Sequence, residues 1–430
     1  MKNIRIKNTD IRFIREPLLS PFGFKGKYLS ELWQTVAYIE SDSFCAACPC
    51  TISVLWSDGN VFAEHTPDES SALMRDVTAY ALDMIKGEHF TRPDELLYEI
   101  LPELKQYADR ICNRCVAETF VLNSLVGVDY ALWTLFALEN GITDFDGIIP
   151  DYARLAMSSR YDGLAHIPLV SYAVGEHELR TLLDNGTALL KIKIGHGSGA
   201  SLSHEEDMRS MLEWDKERLE FIHLIAKEYS TPLTKTGTVR YYLDANGRYD
   251  SIERVTELLD FADKIGALER IELIEEPLPP DDESSVADLP VVINADESAH
   301  SLADVQKRLS QGYRAVALKP IAKTMSVSFA MAAEVARSGG GCLCADLTVV
   351  PLLAEWNKQF AARIAPLGGM NCGAIEINGN QNYVNWNALG EMIPAGMPFD
   401  ACPKGKIVLN RDYYSRGGYL FDPNGYIKMF

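Results

Sequence analysis

The apolar positions of this chain change their spacing twice. From Ile4 to about Glu64 they alternate with polar ones, as in Thr35-Val36-Ala37-Tyr38-Ile39 and Thr51-Ile52-Ser53-Val54-Leu55-Trp56, the second run closed by the turn-forming Ser57-Asp58-Gly59-Asn60. Alternation puts successive side chains on opposite faces of a strand, so this stretch predicts an antiparallel meander. Between Ser70 and Gly141 the apolar residues recur at helical spacing, most clearly in Leu122, Leu125, Val126, Tyr130, Leu132 and Leu135. Several helices are therefore expected after the meander, and residues 1–150 read as an α+β module.

After Pro150 short apolar runs alternate with amphipathic stretches. The runs are Ile167-Pro168-Leu169-Val170, Leu189 to Ile194, Tyr241 to Asp244, Ile271 to Glu275, Val291 to Asp296, Ala315 to Lys319, Cys342 to Asp346 and Ala374 to Ile377. Strands separated by helices imply parallel βα units, and eight such units are the number that closes a (β/α)8 TIM barrel. The predicted barrel spans 151–382. Its second connection, between Lys193 and Asp244, is longer than the next three, with a Gly- and Ser-rich loop expected from His196 to His204. Residues 383–430 return to turn-rich, strand-like sequence and are expected to pack back on the first module.

Composition narrows the partners. A net charge of -19 over 430 residues, with no cluster of Lys and Arg, argues against nucleic acid, which is bound by clustered cations that release counterions. No apolar run of signal-peptide length opens the chain and none is read as a bilayer span, so a cytoplasmic protein is expected. Nine cysteines fit a reducing compartment. Cys45, Cys48 and Cys50 lie in strand-like sequence and Cys112 and Cys115 in helix-like sequence, and reduced, partly buried thiols are expected rather than a zinc centre.

Six ionisable residues end successive runs: Lys191 and Lys193, then Asp244, Glu275, Asp296 and Lys319. Barrels build their sites at the carboxyl ends of their strands, so these groups would meet in one mouth. Three carboxylates converging there suit a hard dication, Mg²⁺ with Mn²⁺ as a substitute. Such a site would bind a substrate carboxylate and offset the charge that appears when the α-carbon loses its proton. Lysine, with a reference pKa of about 10.4, would be pushed toward neutrality by a metal and neighbouring cations. Lys193 and Lys319, from strands two and six, would serve opposite faces of the substrate. Glu276, Glu297 and His300 read as supporting or capping groups.

At these residues the chain resembles the enolase superfamily, and within it the muconate-lactonizing subgroup of the mandelate racemase/muconate lactonizing enzyme family. The matching motifs are Lys191-Ile192-Lys193, Leu243-Asp244-Ala245-Asn246, Ile274-Glu275-Glu276-Pro277, Ala295-Asp296-Glu297-Ser298 and Leu318-Lys319-Pro320. The resemblance implies that the first module and the tail form a capping domain, that Asp244, Glu275 and Asp296 hold the metal, and that Lys193 and Lys319 are the acid/base pair with Lys191 helping near the carboxylate. Ser20 to Gly26 looks like the family's mobile specificity loop, and Asp129 to Trp133 like the helix leading into the barrel. Phe22, Phe24 and Lys25 of that loop, with Asp346, Glu376 and Asn378 on strands seven and eight, are then the expected substrate contacts. Strand seven carries no His, which counts against the His-dependent mechanism of the racemase subgroup. Glu376-Ile377-Asn378 keeps only one acid of the Asp-x-Asp pair that holds a substrate ammonium group in the family's dipeptide epimerases.

The expected reaction is racemisation or epimerisation of an N-acyl amino acid, dipeptide or related small carboxylate. β-Elimination or cycloisomerisation uses the same groups. A Schiff-base aldolase with Lys319 as nucleophile is the alternative from another enzyme class, and a non-catalytic binding protein that keeps the fold is the alternative outside catalysis. A homo-oligomer is expected by resemblance.

Overall fold

The computed structural model describes residues 1–24, 27–197, 202–398 and 405–430, and only the backbone of residues 23, 24 and 27. The alternating first stretch forms a three-stranded antiparallel sheet of Asn8–Phe24, Lys27–Glu40 and Cys45–Ile52, whose long hairpin pairs Asn8 with Glu40 at one end and Phe24 with Lys27 at the other, with a register shift between Pro17 and Phe22. The strand predicted through Trp56 ends at Ile52. Val54–Ser57 turns helical instead, and Asp58 accepts the N–H groups of Asn60 and Val61, both at 3.0 Å, to cap the following helix Gly59–Glu64.

Helices Pro67–Ile85, Pro93–Ile111 and Glu118–Asn140 complete this module. The third is apolar on every side and fills the joint between sheet and barrel. By length and composition it would cross a membrane, contrary to the sequence expectation, but 94% of its apolar window is buried in the protein. Its hydrophobicity is satisfied by packing.

The eight parallel strands form as predicted, though several are shorter than the apolar runs: Leu189–Lys193, Arg240–Asp244, Ile271–Glu275, Ile293–Ala295, Ala315–Leu318, Gly341–Cys344 and Ala374–Ile375 are strands two to eight. Strand one starts earlier than predicted. It is Gly163–His166 continued by Leu169–Val170, and it breaks at Pro168, which has no N–H to give to a ladder. Its first half pairs with strand eight and its second half with strand two, which closes the ring.

Inside that ring pack Ala165, Ile167, Leu189, Tyr242, Leu273, Ala317 and Leu343. Because strand side chains repeat every two residues, the next inward position on each strand sits at the mouth. Lys191 and then Lys193 follow Leu189, Asp244 follows Tyr242, Glu275 follows Leu273 and Lys319 follows Ala317. The chemistry predicted from the strand ends is thus a consequence of register.

The long second connection becomes the 23-residue helix His204–Ala226 and a turn beneath the barrel, where Lys235 N–H donates to Gly369 O at 2.9 Å and Leu233 O accepts from Asn371 N–H at 2.8 Å. Residues 198–201 of the predicted loop lie outside the described residues. The tail departs from its strand-like reading. Among the described residues after 383 only Lys406–Val408 is a strand, antiparallel to barrel strand one, and short helical turns make up most of the rest because Asn410 and Asn424 cap them. The tail does return to the first module: Val384 N–H donates to Pro17 O at 3.0 Å, Asn424 Nδ2 donates to Ala47 O at 3.0 Å, and Phe430 stacks on Tyr38.

One buried carboxylate joins module to barrel. Asp129, in the third helix, accepts the N–H groups of Met325 (2.8 Å) and Ser326 (3.1 Å) and the Ser326 hydroxyl, capping helix Met325–Arg337 just after strand six. Asp129→Ala would leave these donors buried and unpartnered, and urea unfolding should show a loss of roughly 2–3 kcal/mol, against a smaller loss for Asp129→Asn.

Candidate active site

The mouth of the barrel brings the predicted lysines and carboxylates together. Lys191 Nζ lies 3.1 Å from both Asp244 Oδ2 and Glu275 Oε1 and 3.3 Å from Glu376 Oε2. Lys193 Nζ donates to Asp244 Oδ2 at 2.7 Å and also reaches Asn246 Oδ1. Lys319 Nζ donates to Asp296 Oδ2. Glu275 is held from below by the Tyr242 hydroxyl and by Asn294 Nδ2 at 3.1 Å. Strands two and six lie diametrically across an eight-stranded ring, so Lys193 and Lys319 face one another across the carboxylates of strands three to five.

The electrostatics follow from burial. Loss of water alone would push the Lys191 ammonium down, but Asp244, Glu275 and Glu376 outweigh it and hold its pKa well above the ordinary lysine value. Burial acts the same way on Lys319, and Asp296, Glu297 and Glu275 again prevail, so its pKa is raised. With only protein groups present, Lys191 and Lys319 each serve as counter-ion to buried carboxylates. Burial raises Glu275 despite Lys191. It opposes the low values of Asp244, held down by Lys191 and Lys193, and of Asp296, held down by Lys319 and Lys323.

Sequence reasoning passed over several groups. Lys323, one helical turn beyond Lys319, is fully buried; it donates to Ala299 O (2.7 Å) and Ala317 O (3.3 Å) and sits 3.7 Å from Asp296 Oδ1. Trp56, reached by the helical turn that replaced the predicted strand end, lies with its ring 5.0 Å from Lys319 Nζ and edge-on to His300. Glu276 has the supporting role expected, accepting Asp296 N–H, Ser298 N–H and the Ser298 hydroxyl. Glu297 does more. It accepts Asn246 Nδ2 at 2.8 Å, and burial among Asp296, Asp244 and Glu275 pushes its pKa up to about 8. Only its place beside Asp296 could have flagged it.

Among the described residues, Glu275, Asp296 and Glu297 form the carboxylate group compact enough for a metal ion, with ligand oxygens all within 4.8 Å of one another. Asp296 Oδ1 and Glu297 Oε2 are buried without a hydrogen-bond partner. Orphaned acceptors in a crowd of like charges fit a hard cation. Asp244, the third predicted ligand, is instead shared by Lys191 and Lys193 on the other side of Glu275.

The predicted substrate contacts divide. Phe22 is half-buried opposite Leu29 in the hairpin, whereas the Phe24 side chain and Lys25 lie outside the described residues. Asp346, Glu376 and Asn378 are brought together but largely satisfy one another: Asp346 Oδ2 accepts Asn378 N–H at 2.8 Å, Glu376 Oε2 accepts Asp346 N–H at 3.3 Å, and Asn378 Oδ1 accepts the Thr348 hydroxyl at 3.0 Å. Burial and then Glu376 raise Asp346 to about 7.

No family model matches the chain by sequence, and no curated protein matches it. Solved structures match along nearly its whole length. A mandelate racemase/muconate lactonizing protein from Herpetosiphon aurantiacus is 18% identical with a TM-score of 0.62, covering 94% of this chain and 96% of its own. The L-Ala-D/L-Glu epimerase from Bacillus subtilis is 16% identical, with a TM-score of 0.61 and the same coverage. The muconate lactonizing enzyme from Pseudomonas fluorescens is 14% identical, with a TM-score of 0.65 and 94% coverage of both chains. At such identities the likeness is one of fold, and it agrees with the capped barrel described above: the chain has the fold of the enolase superfamily.

Proposed function

We propose that the protein abstracts the α-proton of a small carboxylate substrate with the help of Mg²⁺, and that it is a racemase or epimerase. The observation that carries this reading is the opposed pair Lys193 and Lys319 across the carboxylates of strands three, four and five. One ammonium in its neutral form takes the proton from one face, and the other delivers a proton to the opposite face. Lys191, buried behind them, presents positive charge toward the substrate carboxylate and does not need to titrate. Asp296 and Glu275, with Glu297 or Asp244 beside them, would hold the metal. A bound Mg²⁺ supplies charge that offsets the second negative charge of the deprotonated substrate, and it competes with the ammonium groups for the same carboxylates.

Glu376 bears on the substrate. In a dipeptide reading it would take the α-ammonium group, yet it already carries Lys191 and the Asp346 N–H. This favours an N-acyl amino acid or related acid without a free amine over a dipeptide.

With Mg²⁺-loaded protein in D2O, pools of N-acyl amino acids, dipeptides and sugar acids should show α-proton exchange in the first pool by mass spectrometry. Lys193→Ala and Lys319→Ala should each lower exchange at least ~100-fold for the enantiomer whose α-proton that lysine takes, as expected for loss of a general base. Activity that survives chelation, together with borohydride trapping of substrate on Lys319, would replace this reading by the Schiff-base one. Metal binding has its own readout: Mn²⁺ titration by calorimetry should weaken at least about tenfold in Asp296→Asn and Glu275→Gln, because each ligand oxygen lost removes charge from a small hard site.

A further inference from the structure

The 23-residue helix His204–Ala226 lies in the long second connection, and the proposed chemistry gives it no task. Yet one of its faces carries two buried ions three residues apart. Asp215 is wholly buried and turns both oxygens on one backbone group: Gly195 N–H donates to Oδ1 at 2.9 Å and to Oδ2 at 2.8 Å, while the Tyr249 hydroxyl donates to Oδ2 at 2.7 Å. Arg218 reaches the other way, donating from Nη1 to Val174 O and from Nη2 to Ser171 O, both at 2.8 Å. Trp214, beside them, packs its ring against His196 and Tyr172 at 4.7 and 5.5 Å between centroids.

These contacts have a common direction. Ser171 and Val174 follow strand one, Gly195 and His196 follow strand two, and Tyr249 follows strand three. A single helix face therefore laces together the loops that leave three neighbouring strands at the mouth. Gly195 stands two residues beyond Lys193, and it has φ +81°, with a Cβ there meeting the Arg248 side chain at 3.0 Å. Ile194, between them, is pinned on both sides: its N–H donates to Asp244 O at 3.0 Å and its carbonyl accepts the Tyr172 hydroxyl at 3.0 Å. Nothing comparable is needed on strand six, where Lys319 leads straight into the helical turn Pro320–Lys323.

We infer that Asp215 is a positioning residue for Lys193: through Gly195 it fixes where strand two ends, and so where the Lys193 ammonium stands relative to the substrate's α-carbon. A carboxylate suits the task because it can accept from the loops of strands two and three at once, and a charge-assisted bond tolerates less displacement than a neutral one. The effect should be one-sided, since Asp215 touches no loop that carries Lys319.

This inference rests on the proposed α-proton transfer, and its test separates the two. Each enantiomer of an exchanging substrate is followed separately in D2O with Asp215→Ala and Asp215→Asn, and with Tyr249→Phe as the milder variant should the first two fail to fold. The expected result is a drop of at least tenfold in kcat, with KM within twofold, for the enantiomer whose exchange Lys193→Ala abolishes; the enantiomer dependent on Lys319 stays within twofold of wild type, and Asp215→Asn recovers part of the loss. Equal losses for both enantiomers, or no loss in a folded variant, would overturn the assignment. If wild-type protein exchanges no substrate, the proposed reaction fails, and competitive acetylation read by peptide mass spectrometry decides the inference by itself. A Lys193-to-Lys319 labelling ratio shifted at least threefold by Asp215→Ala supports it, and an unchanged ratio rejects it.

Discussion

Everything in the upper barrel answers to one electrostatic constraint: the buried carboxylates of Asp244, Glu275, Asp296 and Glu376 and the partly buried Glu297 crowd one mouth, where isolated charges are expensive. Lys191, Lys193, Lys319 and Lys323 are interleaved with them, and each ammonium bridges or approaches a carboxylate. The apolar ring below, from Leu189 to Leu343, excludes solvent and sharpens every one of those interactions. Protein charges alone still leave the cluster unsatisfied. Asp296 Oδ1 and Glu297 Oε2 have no hydrogen-bond partner, and burial, reinforced by the neighbouring carboxylates, pushes the Glu297 pKa up to about 8.

Strand register delivers the charges to that place. Tyr242 and Leu273 belong to the barrel core, and the residues two further on, Asp244 and Glu275, belong to the site. A slip by one residue would bury the apolar neighbours Leu243 and Ile274 at the mouth and turn both acids outward. Fold and site therefore share one set of hydrogen bonds. The cap adds to the same assembly at strand six, where Asp129 fixes the helix that follows Lys319 and Trp56 lies against the Lys319 ammonium.

This coupling explains how much could be read from the sequence. Lys191, Lys193, Asp244, Glu275, Asp296 and Lys319 were legible because strand ends in a parallel barrel all face one way, and the eight apolar runs are visible without knowledge of their partners. What stayed hidden depended on tertiary neighbours or on local helical turns. Trp56 was misplaced because Val54–Ser57 turns helical where alternation suggested a strand. Lys323 read as one more lysine, since its burial against the Ala299 and Ala317 carbonyls exists only once helix and strand have met. The pairing of the charges was hidden for a related reason: the sequence shows which charges converge but not which of them touch. Strand one was read short because its first half, Gly163–His166, lies before the break at Pro168.

The distribution of contacts in the mouth separates two kinds of work. Lys191 touches three carboxylates and is sealed among them, so moving its proton would leave Asp244, Glu275 and Glu376 without their shared counter-ion. Lys193 and Lys319 each hold one carboxylate and can exchange it for another partner at lower cost. A fixed central charge flanked by two exchangeable ones suits the two-faced proton transfer proposed above. In that proposal the centre would steady the charge that appears in the reaction, and the flanks would carry the protons. The engagement of Glu376 with Lys191 belongs to the same division: its carboxylate anchors the fixed charge and accepts the Asp346 N–H, which ties strand eight to strands two and seven.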